Sequence, residues 1–323
     1  MGQKQTILVL GKFNTTVLER LKPEFDLIHL VDGDGSKLET ADLPAIKAVI
    51  NSIGVRFPNS LMDQLPHLEI ISNFGVGYDG IDAQYAAQKN IMVTNTPDVL
   101  TEEVADTALG LLINTVRELP RAQNHLLQGK WQQGGYPLSK LSLRERKVGI
   151  FGLGRIGKAI ARRIEAFNLP VSYHNRSKAA DVSYTYYPSL LELAQAVDTL
   201  ILVAPASAET NHAVNKYVLE ALGKNGVLIN VGRGSLVDEK ALIKALQDGV
   251  IAAAGLDVFE KEPHVPAELM QMENAVLLPH IASASELTRQ NMSNLVIDNL
   301  LGWFGSGEVV TPVWETKTVT RPY

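Results

Sequence analysis

Short runs of apolar and β-branched residues alternate along the chain with stretches in which apolar positions recur at helical spacing. This alternation is typical of a parallel sheet covered by helices on both faces. A first series of strands is predicted at residues 6–11, 25–31, 45–51, 68–73 and 91–94. A second series is predicted at residues 148–151, 171–174, 199–203, 227–231, 252–256 and 275–278. The pattern therefore predicts an α/β protein with two parallel-sheet domains.

Two long helical patterns separate and follow these strand series. The first covers residues 102–127, after Thr101 as a candidate N-cap, and would cross between the domains. The second covers residues 286–304 and would return the chain to the first domain. Residues after Thr311 show little apolar periodicity, so we expect them to be loosely held.

Composition and net charge limit the kinds of protein and of binding partner that the chain can represent. The chain has 323 residues, of which 46% are hydrophobic and 20% charged, as in a globular protein of about two domains. A net charge of −5 argues against nucleic-acid and anionic-membrane surfaces. The chain contains no cysteine, which excludes disulfides and thiolate ligands and fits a cytoplasmic protein. Its seven histidines are scattered, so we predict no metal site.

The first residues match a bare myristoylation pattern at Met1, Gly2 and Thr6. A core-like strand follows at once, so we interpret the match as chance. No apolar run is long enough for a membrane span, which requires about 18 residues.

A glycine-rich turn in GIFGLGRIG suggests a dinucleotide site. Gly152, Gly154 and Gly157 follow a predicted strand and open a predicted helix. In such a unit the glycines permit a tight turn, a close approach of backbone to a pyrophosphate, and close packing of helix on strand. Glycines also mark ordinary turns, but the strand, turn, helix and second strand within about 30 residues favour the dinucleotide interpretation.

The second strand of this unit ends in Asn175, Arg176 and Ser177, where an acidic residue would bind the ribose of NAD. Arginine beside small polar side chains can instead hold a 2′-phosphate. A solvated basic loop is the alternative. We predict NADP(H), preferred over NAD(H).

Three further stretches carry candidate chemistry: LINVGRGSLVD with Arg233, GLDVFEKEP with Asp257 and Glu262, and LLPHIAS with His280. Alone, each has an ordinary explanation, namely a turn arginine, a surface glutamate and a buried structural histidine. Together they suit hydride transfer to a 2-oxoacid. That reaction needs a proton donor at the carbonyl oxygen and a cation for the carboxylate.

The chain resembles the D-isomer-specific 2-hydroxyacid dehydrogenases, and within them the NADPH-preferring glyoxylate/hydroxypyruvate reductases and their hydroxyphenylpyruvate reductase relatives. The resemblance covers nearly the whole chain. It is carried by NFGVGYDGID, VTNTPDVLTEEVAD, GLGRIG, NRS, VGRG, GLDVFEKEP and LPHIAS, in this order.

The resemblance implies the site residues. Arg233 would bind the substrate carboxylate and carbonyl, His280 would be the general acid, and Glu262 its partner. Backbone N–H groups at Val76 and Gly77 would hold the substrate carboxylate. The cofactor's pyrophosphate would contact Leu153, Gly154, Arg155 and Ile156. Its 2′-phosphate would contact Asn175, Arg176 and Ser177, and its nicotinamide side Val231 and Asp257.

The resemblance also implies the architecture: two Rossmann-like or flavodoxin-like domains with an active-site cleft between them, in a homodimer. A substrate-binding domain would comprise residues 1–99 and 286–323, and an NADP-binding domain residues 100–285. Trp131 would either reach a partner subunit's cleft or serve as a structural aromatic.

The implied activity is NADPH-dependent reduction of small 2-oxoacids, glyoxylate to glycolate and hydroxypyruvate to D-glycerate. A reductase of aryl or branched 2-oxoacids would differ only in its side-chain pocket. A non-catalytic NAD(P)H-sensing interaction protein is the alternative from another class, and the intact set of Arg233, Glu262 and His280 favours an enzyme.

Overall fold

The computed structural model describes residues 4–13 and 15–322, so Met1 and Gly2 of the myristoylation pattern lie outside the described residues. The chain divides into two compact units. The first unit comprises Met1–Leu100 and Glu286–Tyr323, and the second comprises Thr101–Ser285. No described helix is both long enough and apolar enough to cross a membrane.

The first unit contains a five-stranded parallel sheet in the order β2-β1-β3-β4-β5. This is the flavodoxin-like strand order. Its strands are β1 (Gln5–Leu10), β2 (Phe25–Leu30), β3 (Ile46–Asn51), β4 (Ile70–Asn73) and β5 (Met92–Thr94). The helices between them are α1 (Thr15–Leu21), α2 (Asn59–Gln64) and α3 (Ala83–Gln88).

The second unit contains a seven-stranded parallel sheet in the order β12-β11-β10-β9-β6-β7-β8. Its helices are α4 (Thr101–Arg117), α5 (Leu119–Leu127), α6 (Arg155–Ala166), α7 (Leu190–Ala196), α8 (Lys216–Leu222), α9 (Glu239–Gln247) and α10 (Ala267–Met270). Its strands are β6 (Val148–Phe151), β7 (Val171–His174), β8 (Thr185–Tyr186), β9 (Thr199–Leu202), β10 (Val227–Asn230), β11 (Ala253–Leu256) and β12 (Ala275–Leu277).

The central strands β6, β9 and β10 are buried at every position because helices cover both faces. Strand order reverses beside β6, as in a Rossmann sheet, and ligands bind at such a reversal.

The last helix, α11 (Glu286–Ser306), belongs to the first unit. Its Trp303 is fully buried, and the indole Nε1 donates to a carboxylate oxygen of Glu69 at 3.3 Å.

The prediction of two parallel-sheet α/β domains is confirmed.

Two local predictions were wrong. The helix predicted over 102–127 is two helices, broken at Glu118, whose φ is 52°. Pro120 explains the break, because its ring cannot donate a backbone hydrogen bond and conflicts with the carbonyl four residues earlier.

The loosely held tail was the second error. Val313 donates its N–H to the carbonyl of Val93 at 2.9 Å, and the buried Thr316 hydroxyl bonds both the N–H and the carbonyl of Val93. The tail is therefore held against β5 by hydrogen bonds from its backbone and from a hydroxyl group. Such bonds do not require apolar residues at regular spacing, so the sequence pattern did not reveal them.

Candidate active site

The glycine motif that follows β6 and extends into α6 needs two of its three glycines for packing. Gly152 has a φ of 104°, and a Cβ there would lie 2.5 Å from the backbone nitrogen of Ala204. A Cβ at Gly157 would overlap the carbonyl oxygen of Gly152. These two residues therefore set the tight turn and the close approach of helix to strand.

Gly154 differs, because a Cβ added there would meet no protein atom within 4 Å. It precedes α6, whose start has no side-chain cap, so the positive end of the helix carries backbone N–H groups suited to an anion. Leu153, Arg155 and Ile156 lie in the same turn. The residues present therefore fit a pyrophosphate, and the lack of a side chain at Gly154 leaves room for it.

Gly154→Ala separates ligand fit from protein packing. The φ of −86° at Gly154 is accessible to alanine, so we expect the free energy of unfolding to change by less than about 0.5 kcal/mol. The added methyl would crowd the pyrophosphate, and we expect the Kd of NADPH to rise about tenfold or more. Fluorescence titration measures the Kd of NADPH, and urea denaturation measures the free energy of unfolding.

Gly110→Ala, in α4 of the same unit, is the matched control, because it also meets no atom within 4 Å. We expect it to leave the Kd of NADPH unchanged. An unchanged Kd in Gly154→Ala as well would contradict the assignment of this turn to the cofactor.

Asn175 follows β7 and ties this turn to the neighbouring strand. Its Oδ1 accepts the N–H of Leu153 at 2.6 Å. Arg176 and Ser177 follow directly and are exposed. Asn175 thus has a structural function at the end of β7, and the two side chains beyond it face solvent where a ribose substituent could meet them.

Glu262 and His280 form the central pair of the candidate active site. The imidazole Nδ1 of His280 lies 2.7 Å from Oε2 of Glu262, and Oε1 of Glu262 accepts the N–H of Phe259 at 3.0 Å. About a third of each side chain is exposed. Because Glu262 occupies Nδ1, the other ring nitrogen, Nε2, is the atom that can exchange a proton with a substrate.

The charge of Glu262 is stabilised by its partners. Burial by itself would raise the pKa of this carboxyl, but the hydrogen bond and charge of His280 outweigh it. The N–H of Phe259 and the charge of Arg233 act in the same direction, so the pKa of Glu262 lies below its usual value. The carboxylate therefore stays ionised at neutral pH and can accept a hydrogen bond from Nδ1 of His280.

Arg233 comes near this pair because two loops approach closely. A Cβ at the next residue, Gly234, would overlap the carbonyl group of Phe259, so only glycine lets the loop after β10 contact the loop before Glu262. Buried Asn230 holds the turn: its Nδ2 donates to the Arg233 carbonyl at 2.9 Å and its Oδ1 accepts the Gly232 N–H at 3.0 Å. Sequence reasoning missed Asn230, although an asparagine ending a buried strand was a visible signal.

Asp257, expected on the nicotinamide side, is fully buried. Its carboxylate oxygens accept the N–H groups of Ile281 at 2.7 Å and Ala282 at 2.9 Å, and its carbonyl accepts the N–H of His280 at 2.8 Å. Burial raises the pKa of this carboxyl. Asp257 therefore shapes the turn in which His280 adopts a φ of 54°. Its contact with nicotinamide stays a prediction, as does that of Val231, which is buried after β10.

Val76 and Gly77 lie in the first unit, in the loop after β4, and both are half-buried. The structure thus brings Arg233, Glu262 and His280 together within the second unit and places the other substrate candidates in a loop of the first. Among the described residues, no group of three or more His, Asp or Glu side chains could hold a metal ion.

Comparison with known proteins gives the class of the chain. Residues 109–282, more than half of it, match the NAD binding domain of the D-isomer specific 2-hydroxyacid dehydrogenases. The chain belongs to this family of oxidoreductases.

Three relatives illustrate the likeness. The chain is 44% identical over 308 residues to glyoxylate/hydroxypyruvate reductase A of Arabidopsis thaliana, covering 95% of this chain and 98% of that protein. It is 46% identical over 269 residues to hydroxyphenylpyruvate reductase of Plectranthus scutellarioides, covering 83% and 86%. A solved structure of an NADPH-dependent glyoxylate/hydroxypyruvate reductase from Sinorhizobium meliloti, in complex with NADP and malonate, has a TM-score of 0.95, 55% identity and 99% coverage of both chains.

Proposed function

We propose that this protein is an NADPH-dependent reductase of small 2-oxoacids, converting glyoxylate to glycolate and hydroxypyruvate to D-glycerate. The observation that carries the proposal is the 2.7 Å pair of Glu262 and His280 in the same unit as the glycine-rich turn. Relatives named for these two substrates cover nearly the whole chain, and one is named as NADPH-dependent and was solved with NADP.

The residues divide the chemistry between them. When bound, NADPH supplies a hydride to the carbonyl carbon of the 2-oxoacid. His280, oriented by the contact of its Nδ1 with Glu262, gives its Nε2 proton to the carbonyl oxygen as negative charge builds there. Arg233 binds the carboxylate and polarises the carbonyl with its planar guanidinium. The products are the 2-hydroxyacid and NADP⁺, and His280 regains its proton from solvent.

Arg176 is proposed to select NADPH through its 2′-phosphate. We expect Arg176→Ala to raise the Kd of NADPH about 10- to 100-fold, the loss expected for hydrogen bonds to a charged group. The Kd of NADH should change less than about twofold, because NADH lacks that phosphate. Fluorescence titration with both cofactors measures the two effects.

Lys244→Ala is the matched control, since Lys244 is an exposed cation on α9 of the same unit and pairs with Asp248, just after the helix. It should bind both cofactors as the wild type does. Equal losses for NADPH and NADH in Arg176→Ala would contradict the proposed cofactor preference.

We also propose a homodimer formed through the second unit. Large apolar side chains are exposed there along α5 and the following segment, namely Leu119, Leu126, Leu127, Trp131 and Leu138. A surface of this kind suits association with another protein. Trp131 is 66% exposed, so a partner subunit could contact it, and its place in that subunit's cleft stays a prediction. We further propose a cytoplasmic location, which a chain without cysteine suits.

The experiment that tests the activity is the initial rate of NADPH oxidation, and separately of NADH oxidation, with glyoxylate, hydroxypyruvate, phenylpyruvate and hydroxyphenylpyruvate. Faster turnover of the two small acids with NADPH is expected. Faster turnover of the two aryl acids would overturn the proposed substrate class but would leave the proposed mechanism unchanged. Tight NADPH binding without turnover of any of the four would favour a nucleotide-sensing protein instead.

A further inference from the structure

In the first unit, the loop after β4 has three carbonyl groups that accept hydrogen bonds from side chains and backbone at the end of the sheet. One Nδ2, that of Asn73, donates to the carbonyl oxygens of Gly75 at 3.1 Å and Gly77 at 3.0 Å. The carbonyl of Val76, between them, accepts from Nδ2 of Asn95 at 2.8 Å. The carbonyl of Gly75 also accepts the N–H of Thr96 at 3.0 Å. Three consecutive carbonyls are thus turned towards the sheet.

In a trans peptide the carbonyl and the N–H point in opposite directions. Fixing the carbonyls of Gly75, Val76 and Gly77 therefore turns the next N–H groups, those of Val76, Gly77 and Tyr78, away from the two asparagines. In residues 4–13 and 15–322, no hydrogen bond uses these three N–H groups. All three residues are half-buried rather than exposed. Successive N–H groups of this kind form a concave site for an anion.

Asn73 is itself held in place. Asn73 ends β4, and its Oδ1 accepts from Nδ2 of Asn51, which ends the neighbouring strand β3, at 3.3 Å. Asn51 and Asn73 are 2% and 4% exposed. A buried amide costs free energy unless it is hydrogen-bonded, and Asn73 uses both of its donors and its acceptor. The three asparagines lie at or just beyond the carboxyl ends of β3, β4 and β5, the edge at which parallel sheets bind ligands.

We propose that Asn73 and Asn95 are positioning residues that orient the N–H groups of Val76, Gly77 and Tyr78 to bind a small carboxylate. The third donor, Tyr78, extends the pair expected from the sequence. That this carboxylate is the substrate's rests on the proposed function, whereas the anion site itself does not.

The test uses the full-length protein and oxalate, a small dicarboxylate that is not reduced. In a ¹⁵N-labelled sample, titration with oxalate should shift the amide resonances of Val76, Gly77 and Tyr78 together. Asn73→Ala should weaken oxalate binding about tenfold or more, as expected when two hydrogen bonds that orient the donors are lost. Its KM for glyoxylate should rise by a similar factor, while the Kd of NADPH stays unchanged.

Ser72→Ala is the matched control. Ser72 precedes Asn73 in β4, is buried, and accepts a hydrogen bond from the Thr94 hydroxyl at 3.0 Å, but it bonds none of the loop carbonyls. We expect it to bind oxalate as the wild type does, although it too loses a buried hydrogen bond. Equal weakening in both variants would identify a general structural effect and overturn the positioning role.

The wild-type titration keeps the proposal testable if Asn73→Ala does not fold. The absence of shifts at the three amides when oxalate binds would overturn the anion site. Amide shifts in a protein that reduces none of the four 2-oxoacids would support the anion site and contradict the proposed function.

Discussion

His280→Ala should lower kcat for glyoxylate reduction about 10²- to 10⁴-fold, the usual contribution of a positioned general acid. The Kd of NADPH should stay close to that of the wild type, because the glycine-rich turn and the end of β7 are unchanged. The structural reason is that Glu262 occupies Nδ1 and leaves Nε2 as the proton donor. Stopped-flow measurement of a single turnover separates this chemical step from product release.

His212→Ala is the control, because His212 also pairs with a glutamate, its Nε2 lying 3.1 Å from Oε1 of Glu260, and it is outside the predicted site. It should keep most of the activity. A His280→Ala enzyme that turns over at close to the wild-type rate would show that another group supplies the proton.

Arg233→Lys should lower kcat/KM for glyoxylate and hydroxypyruvate about 10²- to 10³-fold. A lysine keeps the charge but loses the planar fork that meets a carboxylate and a carbonyl at once, and each hydrogen bond to a charged group contributes roughly 1.5–3 kcal/mol. Steady-state kinetics at saturating NADPH measures the loss, and the Kd of NADPH should not change.

The same substitution at Arg162 is the control. Arg162 is 60% exposed and pairs with Glu102 at 2.8 Å, and an exposed ion pair contributes little. Arg162→Lys should be indistinguishable from the wild type. A comparably small effect in Arg233→Lys would mean that the guanidinium does not bind the substrate.

Most of the fold could be predicted because its signals are local. Strands such as Val148–Phe151 are buried on both faces and therefore form continuous apolar runs, which the sequence displays directly. The two-residue strand Thr185–Tyr186 was missed, since so short an edge strand leaves no periodic pattern. The prediction of a loosely held tail was wrong because the tail is held by polar contacts with Val93, which lies more than two hundred residues earlier in the chain.

The candidate site was less accessible from the sequence. Motifs suggested Arg233, Glu262 and His280, but only the structure gives the contact of Gly234 with Phe259 that brings the arginine loop to the glutamate loop. Asn73, Asn95 and Asn230 were not singled out. Their position at a strand end is visible in the sequence, but their function depends on which carbonyl groups the fold brings beside them. A propensity scale registers such residues only as turn formers.

The division of the first unit into two chain segments has a consequence for biosynthesis. Its sheet strands are translated first, yet the indole that fills its interior and the segment hydrogen-bonded to Val93 lie after residue 285. The second unit is a single uninterrupted stretch, Thr101–Ser285, so its core needs no residue of α11 or of the segment after it. The first unit is thus the later of the two to have all of its residues available, and until then its unfinished apolar surface is open to aggregation.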